Sequence, residues 1–108
     1  MNTLVKLVRL NNLTYNANRD PAIYRRVPKK PFRIQALLNG SGRAHAQVLV
    51  DGEAKARCDQ QISLPDTFTC EVAFDTPGTR VATLLIESGG QTFRQDLRLD
   101  VMAHEWIG

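Results

Sequence analysis

Alternation of apolar and polar side chains is the sequence feature that most limits how this chain can fold. The stretch TFRQDLRLDV at 92–101 shows it best, because charged residues occupy every second position from Arg94 to Asp100. The apolar residues of the opposite parity are Phe93, Leu97, Leu99 and Val101. Successive side chains of a strand point to opposite faces, so the pattern predicts a strand with one buried face. A helix would instead need apolar positions three and four residues apart.

The same alternation recurs between short breaks that contain glycine or proline. Together they predict seven strands, near 3–10, 32–38, 45–51, 54–64, 68–75, 80–87 and 92–101. The first run also fits a helical stripe, but its valine and leucine content, followed by two asparagines, favours a strand. About seven antiparallel strands cannot bury their apolar faces in one sheet. The predicted fold class is therefore all-β, an antiparallel β-sandwich of two sheets.

Length and composition fit a single globular domain, 1–108, with its own core. The chain is 43% hydrophobic and 23% charged, and no apolar run reaches the ~18 residues of a membrane-spanning helix. The opening MNTLVKLVRL does not have the pattern of a signal peptide, because Lys6 and Arg9 interrupt its apolar residues. The compartment stays open: extracytoplasmic if a targeting segment has been removed, and otherwise cytoplasmic.

Charge is unevenly divided along the chain. Residues 1–43 hold nine basic residues and one acidic residue, a net charge of +8, whereas residues 44–108 hold five basic and ten acidic residues, a net charge of −5. Such asymmetry predicts an anionic partner, or copies of the chain that meet basic end to acidic face. Charges scattered over the solvent faces of a β domain would explain it equally well.

A long basic connection at 11–31 separates the first strand from the second. Connections beyond ~12–15 residues without structure of their own are usually functional or disordered. Its prolines favour an extended chain, and residues 19–33 hold six of the fourteen basic residues. The candidate partner-binding residues of this segment are Tyr24, Arg25, Arg26, Lys29 and Lys30. They fit an arm that docks on another protein, a nucleic-acid groove of rings and cations, or a solvated loop.

The glycine-rich break Asn39-Gly40-Ser41-Gly42 raises the question of phosphate binding. A phosphate-binding loop leads from a strand into a helix and carries a lysine followed by serine or threonine. Here a strand follows and the lysine is absent. We therefore predict a hairpin turn at this break.

Two longer stretches carry a family resemblance. KKPFRIQALLNGSGRAHAQVLVDGEA ends one strand in a polar turn with glycine and the next in Asp-Gly. QQISLPDTFTCEVAFDTPGTRVATLLIES follows with a Leu-Pro turn, a strand bearing phenylalanine, and Pro-Gly before an apolar strand. Over about residues 29–101 this pattern resembles bacterial immunoglobulin-like modules of the cell-adhesion-related (CARDB) type. The resemblance implies an immunoglobulin-like sandwich and a noncatalytic module that spaces, braces or binds.

The only two cysteines, Cys58 and Cys70, share parity with apolar neighbours and are predicted to point inward. They could form a disulfide, which contributes roughly 3 kcal/mol for a loop of about a dozen residues. They could instead remain two core thiols that pack as small apolar groups. Trp106, the only tryptophan, lies past the last predicted strand. It could cover the sandwich edge or anchor a partner, since tryptophan is enriched at interface hot spots.

No recognised catalytic or metal-binding motif occurs. His104 has no second histidine at the spacing of a zinc-binding HExxH, His45 has no acidic neighbour in sequence, and the two cysteines lack the paired CxxC geometry. No GxSxG elbow appears either. We predict that the chain is not an enzyme and has no catalytic residues, cofactor, metal site or small-molecule substrate.

The functional prediction is a noncatalytic structural or protein–protein interaction module, part of a larger assembly, that binds a protein partner or associates with itself. The basic connection at 11–31 and the tail around Trp106 would supply the contacts. The alternative is binding of nucleic acid or another polyanion through the basic segment 19–33.

Overall fold

The computed structural model describes residues 4–15 and 26–103, and most of this part of the chain is β-strand. The strands are β1 Val5–Leu10, β2 Leu13–Thr14, β3 Phe32–Val50, β4 Cys58–Val72, β5 Gly78–Ser88 and β6 Gln91–Val101. The described ranges contain no helix, so none could cross a membrane. The predicted all-β class is confirmed.

The strands form one antiparallel sheet that curls into a half-barrel. Its order is β2-β1-β3-β5-β6, and β4 pairs with the other edge of β3. The long strand β3 organises the sheet because β1 pairs with its first half, at 34–38, and β5 with its second half, at 45–50. Both neighbours therefore lie along the same edge of β3, one after the other.

The strand pair β3–β4 continues through a bend at the predicted hairpin turn. Leu38 lies opposite Asp66 and Gly42 opposite Leu64, so three residues of β3 face Pro65 alone. Extra residues on one strand make a β-bulge, which bends the pair while pairing resumes beyond it. The prediction of a hairpin turn at 39–42 is wrong. The chain bends there but does not turn back on itself, and β3 keeps β4 as its pairing partner on both sides of the bend.

The bend folds β4 back on itself. Cys58 and Cys70 belong to this one strand, twelve residues apart, and a straight strand would separate their Cα atoms by about 40 Å. The observed Cα–Cα distance is 6.2 Å, and the sulfur atoms lie at bonding distance. Cys70 is buried and Cys58 packs against the core, as their parity predicted. The cysteine pair thus joins the two halves of β4.

Six strands are described where seven were predicted, and a two-sheet sandwich is not confirmed. The predicted strand 32–38 lies within β3 and 45–51 overlaps its second half, whereas 54–64 and 68–75 overlap the two halves of β4. A glycine break in an alternating run marks a turn or a bulge, and only long-range pairing distinguishes them. The short strand β2 lies in a segment for which no strand was predicted.

A single core fills the concave side of the sheet. In β3, β4 and β5 the buried apolar side chains are at even positions, whereas in β6 they are Leu97, Leu99 and Val101. The parity changes because β5 and β6 are joined by the two-residue turn Gly89-Gly90, which puts Ala82 opposite Leu97. The alternation in the sequence therefore identifies the core face of every long strand.

The two ends of the sheet meet at β6. The backbone N–H of Arg98 lies 3.4 Å from the hydroxyl of Tyr15, the residue that follows β2. The segment 26–31 closes the same side. Arg26 donates its N–H to the Asp100 carbonyl at 3.1 Å and accepts from the Met102 N–H at 2.8 Å. The end of the basic connection is consequently fixed to the barrel by its main chain.

Loss of the cysteine cross-link should lower stability. For a loop of this length the chain-entropy model gives about 3 kcal/mol, so reduction of the oxidised protein should lower its free energy of unfolding by that order. The measurement is urea denaturation with and without dithiothreitol. The Cys58→Ala/Cys70→Ala double variant is the control and should not respond to the reductant. Equal midpoints for oxidised and reduced wild type would contradict a stabilising cross-link.

Substitution of Gly40 in the bulge should lower the stability of the protein more than substitution of its neighbour Ser41. Gly40 has φ +113°, which L side chains rarely adopt, although an added Cβ would meet nothing closer than Leu64 Cδ1 at 3.5 Å. Gly40→Ala should therefore destabilise by about 1–2 kcal/mol through backbone strain alone. Ser41→Ala, at an exposed position of the same bulge, should change stability by less than about 0.5 kcal/mol. Comparable losses for both variants in thermal denaturation would refute the strain argument.

Candidate functional site

Basic side chains gather at the end of the barrel where β3 begins, β4 ends, β5 begins and β6 ends. We call this set the basic pole, and its members are Arg26, Lys29, Lys30, Arg57 and Arg80. Phe74 connects them: its carbonyl accepts the Lys29 N–H at 2.8 Å, and both Arg57 and Arg80 lie over its ring. The strand pairing therefore brings together residues that are far apart in sequence.

The segment that carries Arg26, Lys29 and Lys30 ends in a tight turn. The Lys30 N–H donates to the Val27 carbonyl at 3.1 Å, and Pro28 and Lys29 are the two central residues. Lys29 has φ +71°. Proline followed by a residue with positive φ is the pattern of a type II turn, which favours glycine or asparagine at the second central position. The chain instead has a lysine there, at a backbone cost of order 1 kcal/mol.

Arg57 and Arg80 lie over the buried ring of Phe74. Their Cζ atoms are 4.8 and 4.7 Å from the ring centroid, within the range of cation–π interactions. Phe74 itself is 5% exposed and meets the ring of Phe32 edge-on, at 6.2 Å between centroids. The aromatic core of the barrel thus supports two of the cations of the basic pole.

The two arginines differ in their charge balance. Arg57 makes a two-pronged ion pair with Glu53 at 2.6 and 2.7 Å. Arg80 donates to the backbone carbonyls of Thr76 and Gly78 and to the Thr76 hydroxyl, all of which are neutral acceptors. In the described ranges no carboxylate is within ion-pair distance of Arg80. Arg80 therefore interacts with Glu53 only through its charge, without an ion pair.

The Glu53–Arg57 pair shifts the ionisation of both groups. The hydrogen bond from Arg57 is the main cause that lowers the pKa of Glu53, and the charges of Arg57 and Arg80 add to it. The same hydrogen bond raises the pKa of Arg57 above its ordinary value. Both shifts favour the charged forms, so the pair persists as ions at neutral pH.

The structure describes three of the six predicted partner-binding residues. Arg26, Lys29 and Lys30 lie together at the basic pole, and the side chains of the two lysines are exposed. Tyr24, Arg25 and Trp106 lie outside the described residues. Sequence reasoning missed Arg57 and Arg80 because neither lies in the basic segment 19–33, and only the fold places them beside Phe74.

A second polar cluster lies away from the basic pole, on the outer face. His45 Nε2 is 2.5 Å from Asp59 Oδ1, and Gln47 donates to Asp59 Oδ2 at 3.1 Å. The hydrogen bond to His45 is the main cause that lowers the pKa of Asp59. Sequence reasoning found no acidic neighbour for His45, because Asp59 reaches it from the adjacent strand. Among the described residues, no serine or cysteine forms a hydrogen bond with this histidine.

Comparison with known proteins does not indicate a function for this chain. No protein-family model, curated protein or solved structure matches the chain. Within 4–15 and 26–103, no group of three or more His, Cys, Asp or Glu side chains is placed to hold a metal ion.

Glu53→Gln should lower the free energy of unfolding, and the size of the loss should depend on pH. The Glu53 pKa is lower in the folded protein, so the charged pair adds stability above the unfolded pKa of about 4.3 and loses it as the pH falls through the folded value. At pH 7 we expect a loss of less than about 1 kcal/mol, because the pair is partly exposed. Urea denaturation of both proteins at pH 7 and pH 3 measures the difference. A loss that is as large at pH 3 would rule out the ion pair as its cause.

Proposed function

We propose that this chain is a noncatalytic protein–protein interaction module whose basic pole binds an acidic surface of a partner protein. The observation that carries the proposal is the segment 26–31. Main-chain hydrogen bonds from Arg26 and Lys29 hold it against the barrel, while the side chains of Lys29 and Lys30 remain exposed. Cations held on a rigid backbone bind at a lower entropic cost than cations on a free loop.

The backbone conformation of Lys29 supports a role for its side chain. Residues held at positive φ without being glycine cost stability, and such strain clusters at ligand-binding positions. Glycine would adopt a φ of +71° at a lower cost than lysine, so the turn itself does not explain the lysine at this position. We infer that the exposed ammonium group of Lys29 is used in binding.

The described aromatic rings favour a protein partner over single-stranded nucleic acid. Stacking of bases needs exposed ring faces. The ring of Phe74 is buried beneath two guanidinium groups, and the other phenylalanines are buried or packed against the core. Tyr15 packs against the core as well, and its hydroxyl meets Arg98. Among the described residues, the alternative, binding of nucleic acid or another polyanion, draws its support from positive charge alone.

The immunoglobulin-like assignment is part of the same proposal. The bend in the paired strands β3 and β4, and the cysteine pair that joins the two halves of β4, support this assignment. Opposed walls with a shared core are the arrangement of a sandwich. We propose that the chain is a shortened immunoglobulin-like module similar to the CARDB type, whose work is to brace or connect.

Lys29→Gly separates binding from stability. Glycine suits φ +71°, so the free energy of unfolding should stay the same or rise by up to about 1 kcal/mol. Loss of one surface cation should weaken partner binding two- to fivefold, corresponding to about 0.5–1 kcal/mol. The measurements are thermal denaturation and capture of the partner from native host lysate. Arg43→Ala, which removes an exposed cation near the bulge, is the matched control and should leave capture unchanged.

Salt decides between the two classes of partner. Binding through several phosphates should fall steeply between ~50 and ~200 mM salt on heparin and on single-stranded DNA. We expect no retention on DNA at 50 mM salt and capture of a protein by wild type that is lost in the Lys29→Ala/Lys30→Ala variant. Strong DNA retention that depends on these lysines would replace the proposal by its alternative. Equal capture of that protein by the wild type and the double variant would refute the role of the pole.

A further inference from the structure

One half of the outer edge of β6 lacks a neighbouring strand in the described part of the chain. The N–H of Arg98 points to Tyr15, and the carbonyl of Asp100 accepts from Arg26. Even-numbered residues of β6 therefore direct their backbone groups away from β5, because these groups alternate along a strand. By the same alternation the N–H and C=O groups of Thr92, Arg94 and Asp96 lie at this edge, and no strand of the described ranges pairs with them. The Asp96 carbonyl accepts a hydrogen bond from the Gln95 side chain at 3.1 Å, and its second lone pair can accept another.

The side chains on this open half are exposed and alternate in charge. Arg94 and Asp96 are 68% and 57% exposed, and they lie on the outer face of the sheet, 3.7 Å apart at their nearest charged atoms. Charges on a strand edge normally prevent pairing with another strand. A sequence of alternating sign is different, because it is complementary to a second copy of itself in the antiparallel direction.

We propose that two copies of this chain pair through β6, antiparallel and around a two-fold axis at Gln95. Arg94 of each copy then lies opposite Asp96 of the other, in a hydrogen-bonded pair of the new ladder. Phe93 lies opposite Leu97 of the other copy. The sheet of one copy continues into the sheet of the other.

Charge complementarity selects this register among its neighbours. If the two-fold axis moves by one residue toward the amino end of β6, Arg94 lies opposite Arg94 of the other copy. If it moves by one residue toward the carboxyl end, Asp96 lies opposite Asp96. Like charges directly opposite each other destabilise a pair of strands. A shift by two residues toward the carboxyl end would place both charges opposite Arg98 and Asp100, whose backbone groups already bond within the chain. The axis at Gln95 places only Thr92 opposite Arg98, so the new ladder stops at the two Arg94–Asp96 pairs and leaves the contact between Arg98 and Tyr15 in place. Only the axis at Gln95 joins opposite charges on the open half of the edge.

The outer edge of β4 does not offer the same opportunity. Its sequence CDQQISLPDTFTCEV contains three acidic residues and no basic residue, so two antiparallel copies would repel each other. Pro65 lies in the middle of this edge and cannot donate a backbone hydrogen bond. The proposed self-association through β6 uses a surface separate from the basic pole and does not depend on the function proposed for it.

Charge exchange on β6 tests the proposed interface. Wild type should elute with twice the 12.1 kDa mass of one chain by light scattering. Arg94→Asp should weaken self-association at least tenfold, because it places like charges opposite each other twice per dimer. The double variant Arg94→Asp/Asp96→Arg restores opposite charges and should restore the dimer. Arg43→Asp makes the same chemical change near the bulge and should remain dimeric.

A cysteine cross-link tests the axis in the folded wild-type background. Residues opposite each other in a non-hydrogen-bonded pair have Cα atoms about 4.5 Å apart, within the range of a disulfide. Gln95→Cys should therefore form a covalent dimer on mild oxidation. Thr92→Cys, displaced from its own copy by six residues along the strand, should not. A monomeric wild type, a dimer that survives Arg94→Asp, or equal cross-linking of the two cysteine variants would overturn the proposal.

Discussion

The bend in the paired strands β3 and β4 is the constraint on which the rest of the structure depends. The two strands pair on both sides of the bulge, so both continue through the curled sheet with their core parity unchanged. That continuity lets β1 and β5 share one edge of β3 and brings Cys58 to Cys70.

The same curvature creates the basic pole. Curling brings β6 beside the residue that follows β2, and the returning connection is held there by Arg26 before the chain enters β3. Basic residues of the amino-terminal part thereby come to lie beside Arg57 and Arg80, which belong to the acidic part. Basic residues from both parts of the sequence thus share one end of the barrel. Arg57 forms an ion pair with Glu53, whereas Arg80 bonds to neutral acceptors.

Local patterns predicted the faces of the strands but not their connections. Alternation in 92–101 predicted β6 to within one residue, and parity placed both cysteines correctly, because burial depends on side-chain direction. The bulge at Gly40 could not be predicted, since its glycines satisfy a turn and a bulge equally well. For the same reason Lys29 and Lys30 were candidates from sequence, whereas Arg57 and Arg80 were not. Their shared contact, Phe74, is defined only after β4 and β5 are positioned.

Unpaired strand edges are a hazard, and this barrel treats its edges differently. The edge strand β2 is two residues long, and β4 carries proline and only acidic charges. The carboxyl half of β6 is covered by Tyr15 and Arg26. The amino half of β6 has neither proline nor charge of a single sign. An edge meant to repel other strands would carry like charges. Alternating charges place like charges opposite each other in the neighbouring registers and opposite charges together in one. This half of the β6 edge therefore disfavours most strand pairings but permits pairing in one register.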